Sequence, residues 1–186
     1  MLTFDDGPDP VWTPRLLDVL ADGGAQATFF PIAPRAAAYP DVVARIRAEG
    51  HEIGLHCDEH VRHSTQTEAW LIADTERALE RLAGLGVVPT RWRTPWGDTA
   101  PFTRAIADAH GLNLTGWTVD THDWRGDSAA SMFAATQDGL DAEAIVLAHD
   151  GIGPGARRDD ARETVAFTAR VIEFARVAGL ALESMP

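Results

Sequence analysis

The chain alternates short apolar runs with longer segments in which apolar residues recur at the period of an α-helix. The short runs are rich in β-branched and aromatic residues and predict strands at residues 2–4, 27–32, 52–55, 90–93, 114–119, 144–148 and 180–183. The longer segments predict helices at residues 13–21, 40–49, 67–82, 100–109, 129–137 and 160–178. Because strands and helices alternate, we expect an α/β fold with mostly parallel strands, either a barrel or an open doubly wound sheet.

Length and composition predict the number of domains and exclude several classes of partner and site. A chain of 186 residues without repeats or a long linker predicts one domain spanning residues 1–186. The 28 acidic residues outnumber the 16 arginines and lysines, and the net charge of −12 disfavours binding to nucleic acid or to an anionic membrane. Cys57 is the only cysteine, which excludes an intrachain disulfide and a cysteine-rich zinc framework.

The start of the chain also bears on location. Two acidic residues occur by position six, which a signal peptide does not tolerate, and no apolar run is long enough to cross a membrane. We therefore expect a cytoplasmic protein as the sequence stands, or a secreted or cell-surface protein if an export segment has been removed.

Several polar clusters directly follow predicted strands, at the edge of a parallel fold where ligands usually bind. Asp5 and Asp6 follow the first strand and point in different directions, so one could bind a metal while the other takes a proton. An Asp-Asp-Gly-Pro sequence is also a good turn, and by itself it does not distinguish the two interpretations.

His56 and His60 follow the third predicted strand. Histidines four residues apart lie on one face of a helical turn and are close enough to share a cation. Two imidazoles with one carboxylate suit zinc or a similar divalent metal and leave coordination positions open for water, as in catalytic sites. Cys57 faces away from this pair and is not expected to be a ligand.

Two further clusters carry candidate chemistry. Arg93 precedes a Pro-Trp-Gly turn, where its guanidinium could hold a carboxylate and the backbone N–H of Trp96 could face a ligand; the alternative is a surface turn. His149 follows a strong apolar strand and could act as an acid near neutral pH beside a carboxylate, or be an ordinary core histidine.

In order along the chain, these segments resemble the five motifs of the polysaccharide deacetylase family, the NodB-homology domain of carbohydrate esterase family four. The matching segments are residues 3–8, 56–60, 93–97, 120–124 and 147–149. Five ordered motifs are far more specific than any one of them. The resemblance implies a distorted (β/α) barrel of about seven parallel strands and metal-dependent removal of acetyl groups from N-acetylated sugars, as in chitooligosaccharide or peptidoglycan-type glycans.

The resemblance also implies roles for individual residues. Asp6, His56 and His60 would bind a divalent metal, with Zn²⁺ expected and Co²⁺ or Ni²⁺ as substitutes. Asp5 would be the general base, held by Arg93, and His149 would be the general acid, paired with Asp123. The remaining assignments concern the substrate: the backbone N–H of Trp96 would stabilise the oxyanion, and the acetyl methyl would contact Trp124 and Leu147.

Some features depart from this pattern or leave alternatives open. Cys57 stands where the family usually has serine or threonine, and Leu55 replaces a residue that is often polar. We interpret His63 as a solvated loop residue, and Arg157 and Arg158 as a solvated pair that balances the acidic residues at 159–160. The alternatives are that His63 touches the substrate and that the two arginines contact an anionic substrate.

The competing functions are an O-acetyl esterase acting on xylan, a deacylase of a small N-acylated metabolite, a two-His-one-carboxylate iron oxygenase and an inactive glycan-binding module. An oxygenase would have no need of Asp5, Arg93 and His149. An inactive module would have no reason to keep a base and an acid. The expected partner is an acetylated carbohydrate.

Overall fold

A layer of short parallel strands forms the centre of the computed structural model, which describes residues 1–185. Within that range there are seven strands: β1 (Leu2–Asp5), β2 (Ala27–Phe30), β3 (Glu52–Ile53), β4 (Arg91–Trp92), β5 (Asn113–Leu114), β6 (Val119–Asp120) and β7 (Val146–His149). Five of them form a sheet in the order β3-β2-β1-β7-β6, and β4 pairs with β5. Every pair is parallel, as the alternation of strands and helices predicts.

The two sheets meet at a single bridge between Leu55 and Trp92, which continues the strand order from β3 to β4. Across the described residues no strand ladder joins β5 to β6, so strand pairing does not close the barrel. The predicted parallel α/β fold is confirmed, and its barrel is distorted and open on one side.

Helices cover the outside of the strands. They are α1 (Trp12–Asp22), α2 (Ala33–Ala38), α3 (Pro40–Ala48), α4 (Glu68–Gly84), α5 (Thr103–Ala109), α6 (Ala129–Thr136) and α7 (Arg162–Ala178). The N-terminus of α4 is capped by Thr67, whose hydroxyl accepts the backbone N–H of Trp70. Helix α7 packs against α1 and α6, and α4 packs against α2. Among residues 1–185, none of these helices has the length and apolar character needed to cross a membrane.

The core explains why the strands are so apolar. Strand β1 is buried along its whole length because it lies between β2 and β7 and is covered by helices. Phe4 contacts Phe29 of β2, with ring centroids 5.3 Å apart. Since all strands run in one direction, the polar residues that follow them meet at the same edge of the fold.

The structure differs from the prediction in three elements. No strand forms at 180–183, because β2 already pairs with β1 on one side and β3 on the other. The C-terminal segment instead makes two hydrogen bonds to β2 and to the residue just before it. Gln26 N–H donates to Leu182 O, and Met185 N–H donates to the hydroxyl of Thr28. The predicted strand at 114–119 is divided into β5 and β6, and helix α2 was not predicted.

Candidate active site

A cleft of about 320 Å³ opens at the carboxyl ends of the strands. Eight of the ten predicted site residues line it: Asp5, Asp6, His56, His60, Trp96, Trp124, Leu147 and His149. The other two, Arg93 and Asp123, are buried directly behind the lining, against Asp5 and His149 respectively. The edge of the parallel strands therefore brings together residues that are up to 144 positions apart in the chain.

Asp6, His56 and His60 form a compact group of possible metal ligands, whose donor atoms all lie within 4.8 Å of one another. The Oδ1 atom of Asp6 is 3.4 Å from Nε2 of His56 and 3.2 Å from Nε2 of His60. That oxygen is buried and has no hydrogen-bond partner among residues 1–185, which is a costly state for a carboxylate. A divalent cation would satisfy it, so this group fits a metal such as zinc.

Neighbouring groups favour the metal-binding forms of these side chains. Nδ1 of His56 lies 2.6 Å from the carbonyl oxygen of Arg93, so this nitrogen donates and Nε2 presents its lone pair to Asp6. Burial opposes ionisation of Asp6, but the adjacent imidazoles of His56 and His60 outweigh it and hold its pKa well below the usual range. Asp6 is therefore a carboxylate.

The turn after β1 separates the side chains of Asp5 and Asp6. Asp6 has a φ of 72°, in the left-handed region, which directs its side chain away from that of Asp5. Its carbonyl oxygen accepts a hydrogen bond of 2.7 Å from Arg35, and its N–H donates to Phe30 O at 3.2 Å. These bonds stabilise a backbone conformation that only a few residue types adopt.

The segment that carries His56 and His60 is an irregular bend, and our expectation of a helical turn is wrong. The bend brings the two rings to a centroid distance of 5.1 Å. It is held by Asp74 of α4, whose carboxylate accepts the backbone N–H groups of Asp58 at 3.1 Å and Glu59 at 2.9 Å. Tertiary contacts from α4, and not a local helix, therefore hold the segment that brings His56 and His60 together.

Cys57 lies inside this bend but does not belong to the ligand group. Its side chain is buried, and its carbonyl oxygen accepts the N–H of Ala33 at 2.9 Å. Burial raises the pKa of the Cys57 thiol well above its usual range, so the side chain is a neutral thiol.

Asp5 is held by a buried arginine. The guanidinium of Arg93, with no exposed surface, donates to Asp5 Oδ1 at 3.0 Å and to the hydroxyl of Thr3 at 2.7 Å. A third bond, of 2.9 Å, reaches the carbonyl oxygen of Gly116. The carboxylate of Asp5 is thereby oriented in the cleft without joining the ligand group.

His149 and Asp123 form a tight pair on the other side of the cleft. Nδ1 of His149 lies 2.6 Å from Asp123 Oδ1, and the backbone N–H of His149 donates to Asp123 Oδ2 at 2.9 Å. Burial alone would lower the pKa of His149, but the charge and hydrogen bond of Asp123 outweigh it and raise the pKa to about 9. Burial alone would raise the pKa of Asp123, but the charge and hydrogen bond of His149 outweigh it and lower this pKa to about 2.

Tryptophan side chains form the walls of the cleft. Trp96 is 43% exposed, has a φ of 55° and packs edge-on against His60 with ring centroids 4.2 Å apart. Trp124 and Leu147 lie together in the lining. Trp117, which the sequence did not single out, also lines the cleft and packs against Gly97, where a Cβ atom would lie 2.8 Å from its ring.

Two interpretations of charged or polar loop residues are wrong. Arg158 is not solvated: its guanidinium lies 3.1 Å from Asp123 Oδ2 and donates to His149 O at 2.8 Å. It also contacts the hydroxyl of Thr164. His63 is buried against Trp92, and burial lowers its pKa to about 4.

Asp150 is a further residue that the sequence reasoning missed. It accepts hydrogen bonds from the N–H of Gly7 at 3.1 Å and the hydroxyl of Thr13 at 2.6 Å, and so holds the turn after β1. Burial raises the pKa of Asp150 to about 7. Its place next to His149 at the end of an apolar strand was a signal that could have identified it.

Comparison with known proteins agrees with this geometry. The sequence model of the polysaccharide deacetylase family matches residues 1–115, and the chain belongs to this family of carbohydrate deacetylases. The chain is 29% identical over 193 residues to a chitooligosaccharide deacetylase of Azorhizobium caulinodans, covering 100% of this chain and 91% of that protein. It is 34% identical over 176 residues to a peptidoglycan-N-acetylglucosamine deacetylase of Bacillus cereus, covering 92% of this chain and 78% of that protein.

The fold has a close match among solved structures. A crystal structure of a peptidoglycan N-acetylglucosamine deacetylase in complex with 4-naphthalen-1-yl-N-oxidanyl-benzamide superposes with a TM-score of 0.91 at 30% identity. The match covers 100% of this chain and 85% of that one. The resemblance deduced from the five motifs is therefore confirmed for the family and for the fold.

The role of Asp74 can be tested through metal affinity. We expect Asp74→Asn to weaken Zn²⁺ binding roughly tenfold, because an amide cannot accept both backbone N–H groups of the bend that carries His56 and His60. The dissociation constant would be measured by competition with a chromogenic chelator. Glu76→Gln, an exposed change on the same helix, is the matched control. Unchanged affinity in Asp74→Asn would show that the bend does not depend on this carboxylate.

Proposed function

We propose that residues 1–186 form one catalytic domain that removes acetyl groups from N-acetylated sugars of glycans, using a divalent metal. The observation that carries this proposal is the grouping, in one cleft, of a three-residue metal-type cluster, a separate carboxylate held by Arg93, and a histidine that Asp123 keeps charged. Hydrolysis of an amide needs three things: an activated water, a base and an acid for the departing amine. The cleft has a candidate for each of them.

Asp6, His56 and His60 would hold the metal. When bound there, a divalent cation such as Zn²⁺ would lower the pKa of a coordinated water to about 7 and polarise the acetyl carbonyl. The three protein ligands leave positions open for water and substrate, as catalytic sites require.

Asp5 acts as the general base in this proposal. It takes a proton from the attacking water, and Arg93 keeps its carboxylate oriented through the bond at 3.0 Å. Because Arg93 is buried and also bonded to Thr3, the position of Asp5 does not depend on solvent. The backbone N–H of Trp96 would stabilise the negative charge that develops on the acetyl oxygen.

His149 donates a proton to the leaving amine. Its protonated form predominates at neutral pH, since Asp123 raises its pKa to about 9. Asp123 is itself oriented by Arg158 and Thr164, so the imidazole is held in one direction. Trp124 and Leu147 would accommodate the acetyl methyl group.

The presence of a general acid, His149, favours an amide substrate over an acetyl ester. An amine leaves only when protonated, whereas an alkoxide derived from a sugar needs less assistance. The paired and oriented His149 is consequently most useful for N-deacetylation. The relatives named as chitooligosaccharide and peptidoglycan-N-acetylglucosamine deacetylases support the same choice.

Acetate release tests the function directly. We expect the purified protein with added Zn²⁺ to release acetate from chitooligosaccharides or peptidoglycan fragments, and to lose this activity in excess chelator. Acetylxylan is the comparison substrate for an ester. Faster release from acetylxylan than from every N-acetylated glycan would contradict the proposal.

The different roles of Asp5 and Asp6 predict different defects. Asp5→Asn should retain Zn²⁺ and lose at least about 100-fold in kcat, because only the base is removed. Asp6→Ala should lose the metal, because it removes one of three ligands. Elemental analysis of both variants after dialysis measures the metal content. Equal metal loss in the two variants would disprove this division of roles.

The charge on His149 predicts a pH dependence. Burial disfavours its protonated form and Asp123 favours it more strongly, so the net shift is upward, to about 9. The proton needed by the leaving group is present below this pH and is lost as the pH rises through it. In the protein without metal, NMR titration of His149 should give a midpoint near 9, and Asp123→Asn should move it to lower pH. An unchanged midpoint in that variant would remove Asp123 from its role.

A further inference from the structure

All 16 basic residues of this acidic chain are arginines, and most of their guanidinium groups are engaged by carboxylates or backbone carbonyl groups. Five arginines have no ion pair or side-chain hydrogen bond among residues 1–185, namely Arg15, Arg104, Arg125, Arg157 and Arg170, and of these only Arg125 and Arg157 lie over the ring of a residue that lines the cleft. Both are exposed, and both lie against the ring of Trp124, which lines the cleft, while the two arginines lie just outside the lining.

The guanidinium carbon of Arg125 is 5.2 Å from the centre of the Trp124 ring, and that of Arg157 is 5.7 Å from it. These distances are typical of cation–π contacts, which restrain long side chains at a surface. Trp124 and Leu147 both line the cleft, and the two guanidinium groups lie against the ring of Trp124 at the edge of that lining.

The backbone around Trp124 is also tied in place. The N–H of Arg157 donates to Trp124 O at 2.7 Å, which joins the loop after β7 to the turn that carries Trp124. The N–H of Arg125 donates to His122 O at 2.9 Å within that turn. Two segments 32 residues apart thus bring their arginines to the same tryptophan of the cleft lining.

Three carboxylates line the cleft, and each has a nearby group of its own: Asp5 is bonded to Arg93, Asp6 belongs to the ligand group, and Asp120 accepts the N–H of His122 at 2.8 Å. Asp160, close to Arg157 in sequence, is paired with Arg162 at 2.7 Å. On the opposite wall, Arg62 lies over Trp96 at 4.7 Å but is 3.9 Å from Asp98, which partly neutralises it. Of the arginines in or beside the cleft, Arg62 and Arg158 thus have carboxylate partners, and Arg125 and Arg157 have none among residues 1–185.

From this arrangement we infer that the cleft selects an anionic glycan, in which a carboxylate on or next to the acetylated sugar binds Arg125 and Arg157. Guanidinium groups bind carboxylates through paired, charge-assisted hydrogen bonds. A net charge of −12 repels such a glycan at long range, but salt screens that repulsion beyond about 10 Å at 0.1 M ionic strength. Contact charges at the rim then determine the selectivity. This inference rests on the proposed deacetylase function.

The test uses one glycan in two charge states. The substrate is an oligosaccharide of alternating N-acetylglucosamine and N-acetylmuramic acid, compared with the same oligosaccharide after methyl esterification of its carboxylates. We expect a higher kcat/KM for the charged form. The ratio of the two values should fall about fivefold to tenfold in the double variant Arg125→Gln/Arg157→Gln, and should shrink as salt is added.

The double variant Arg170→Gln/Arg176→Gln is the matched control, because both residues are exposed arginines of α7 and removing them makes the same change in charge. Equal kcat/KM for the two glycans in the unaltered protein, or the same ratio in the double variant, would overturn the inference. Calorimetric binding of both glycans to the unaltered protein separates this result from the function. No acetate release from either glycan refutes the deacetylase, whereas tighter binding of the charged form would still support the arginine subsite.

Discussion

The left-handed conformation of Asp6 is the constraint on which the site depends. A non-glycine residue in this region costs on the order of 1 kcal/mol, and the surroundings offset that cost with bonds from Arg35 to its carbonyl and from its N–H to β2. The conformation turns two adjacent carboxylates apart. Asp6 then faces His56 and His60, while Asp5 faces Arg93. Asp150 supports the same turn through Gly7, where any side chain would collide with its carboxylate.

Around this turn, the fold pairs nearly every buried charge. Arg93 neutralises Asp5, and Arg158 shares Asp123 with His149. A buried ionised group without a partner is strongly destabilising, so such pairs orient the groups at little net cost. Asp6 Oδ1 is one of seven buried side-chain nitrogen or oxygen atoms that have no hydrogen-bond partner among the described residues, and the only one of them that belongs to a carboxylate of the ligand group. A cation bound between Asp6, His56 and His60 would satisfy this oxygen.

The sequence predicted the strand-end residues well because their position follows from a simple rule. In a parallel fold, residues that follow apolar strands meet at one edge, so Asp5, Asp6, His56 and His149 were found without any knowledge of their distances. The spacing of His56 and His60 predicted that they meet, but the helical reason was wrong. The bend is imposed by Asp74, sixteen positions after Asp58, and no local pattern reveals such a contact. The strand expected at 180–183 failed for a similar reason, since the edges of β2 were already occupied.

Local chemistry in the chain was enough to establish the parallel α/β class, the family and the identity of the candidate site residues. These properties depend on hydrophobic period and on the residue types that follow each strand. The partners of each charge were decided by the folded chain. Arg158 appeared in the sequence to be a solvated neighbour of acidic residues, yet it is buried against Asp123, whereas Arg157 beside it stays at the rim near Trp124. Adjacent residues of the same type acquire different environments because the backbone directs successive side chains to opposite sides, and only long-range packing determines what each side contains.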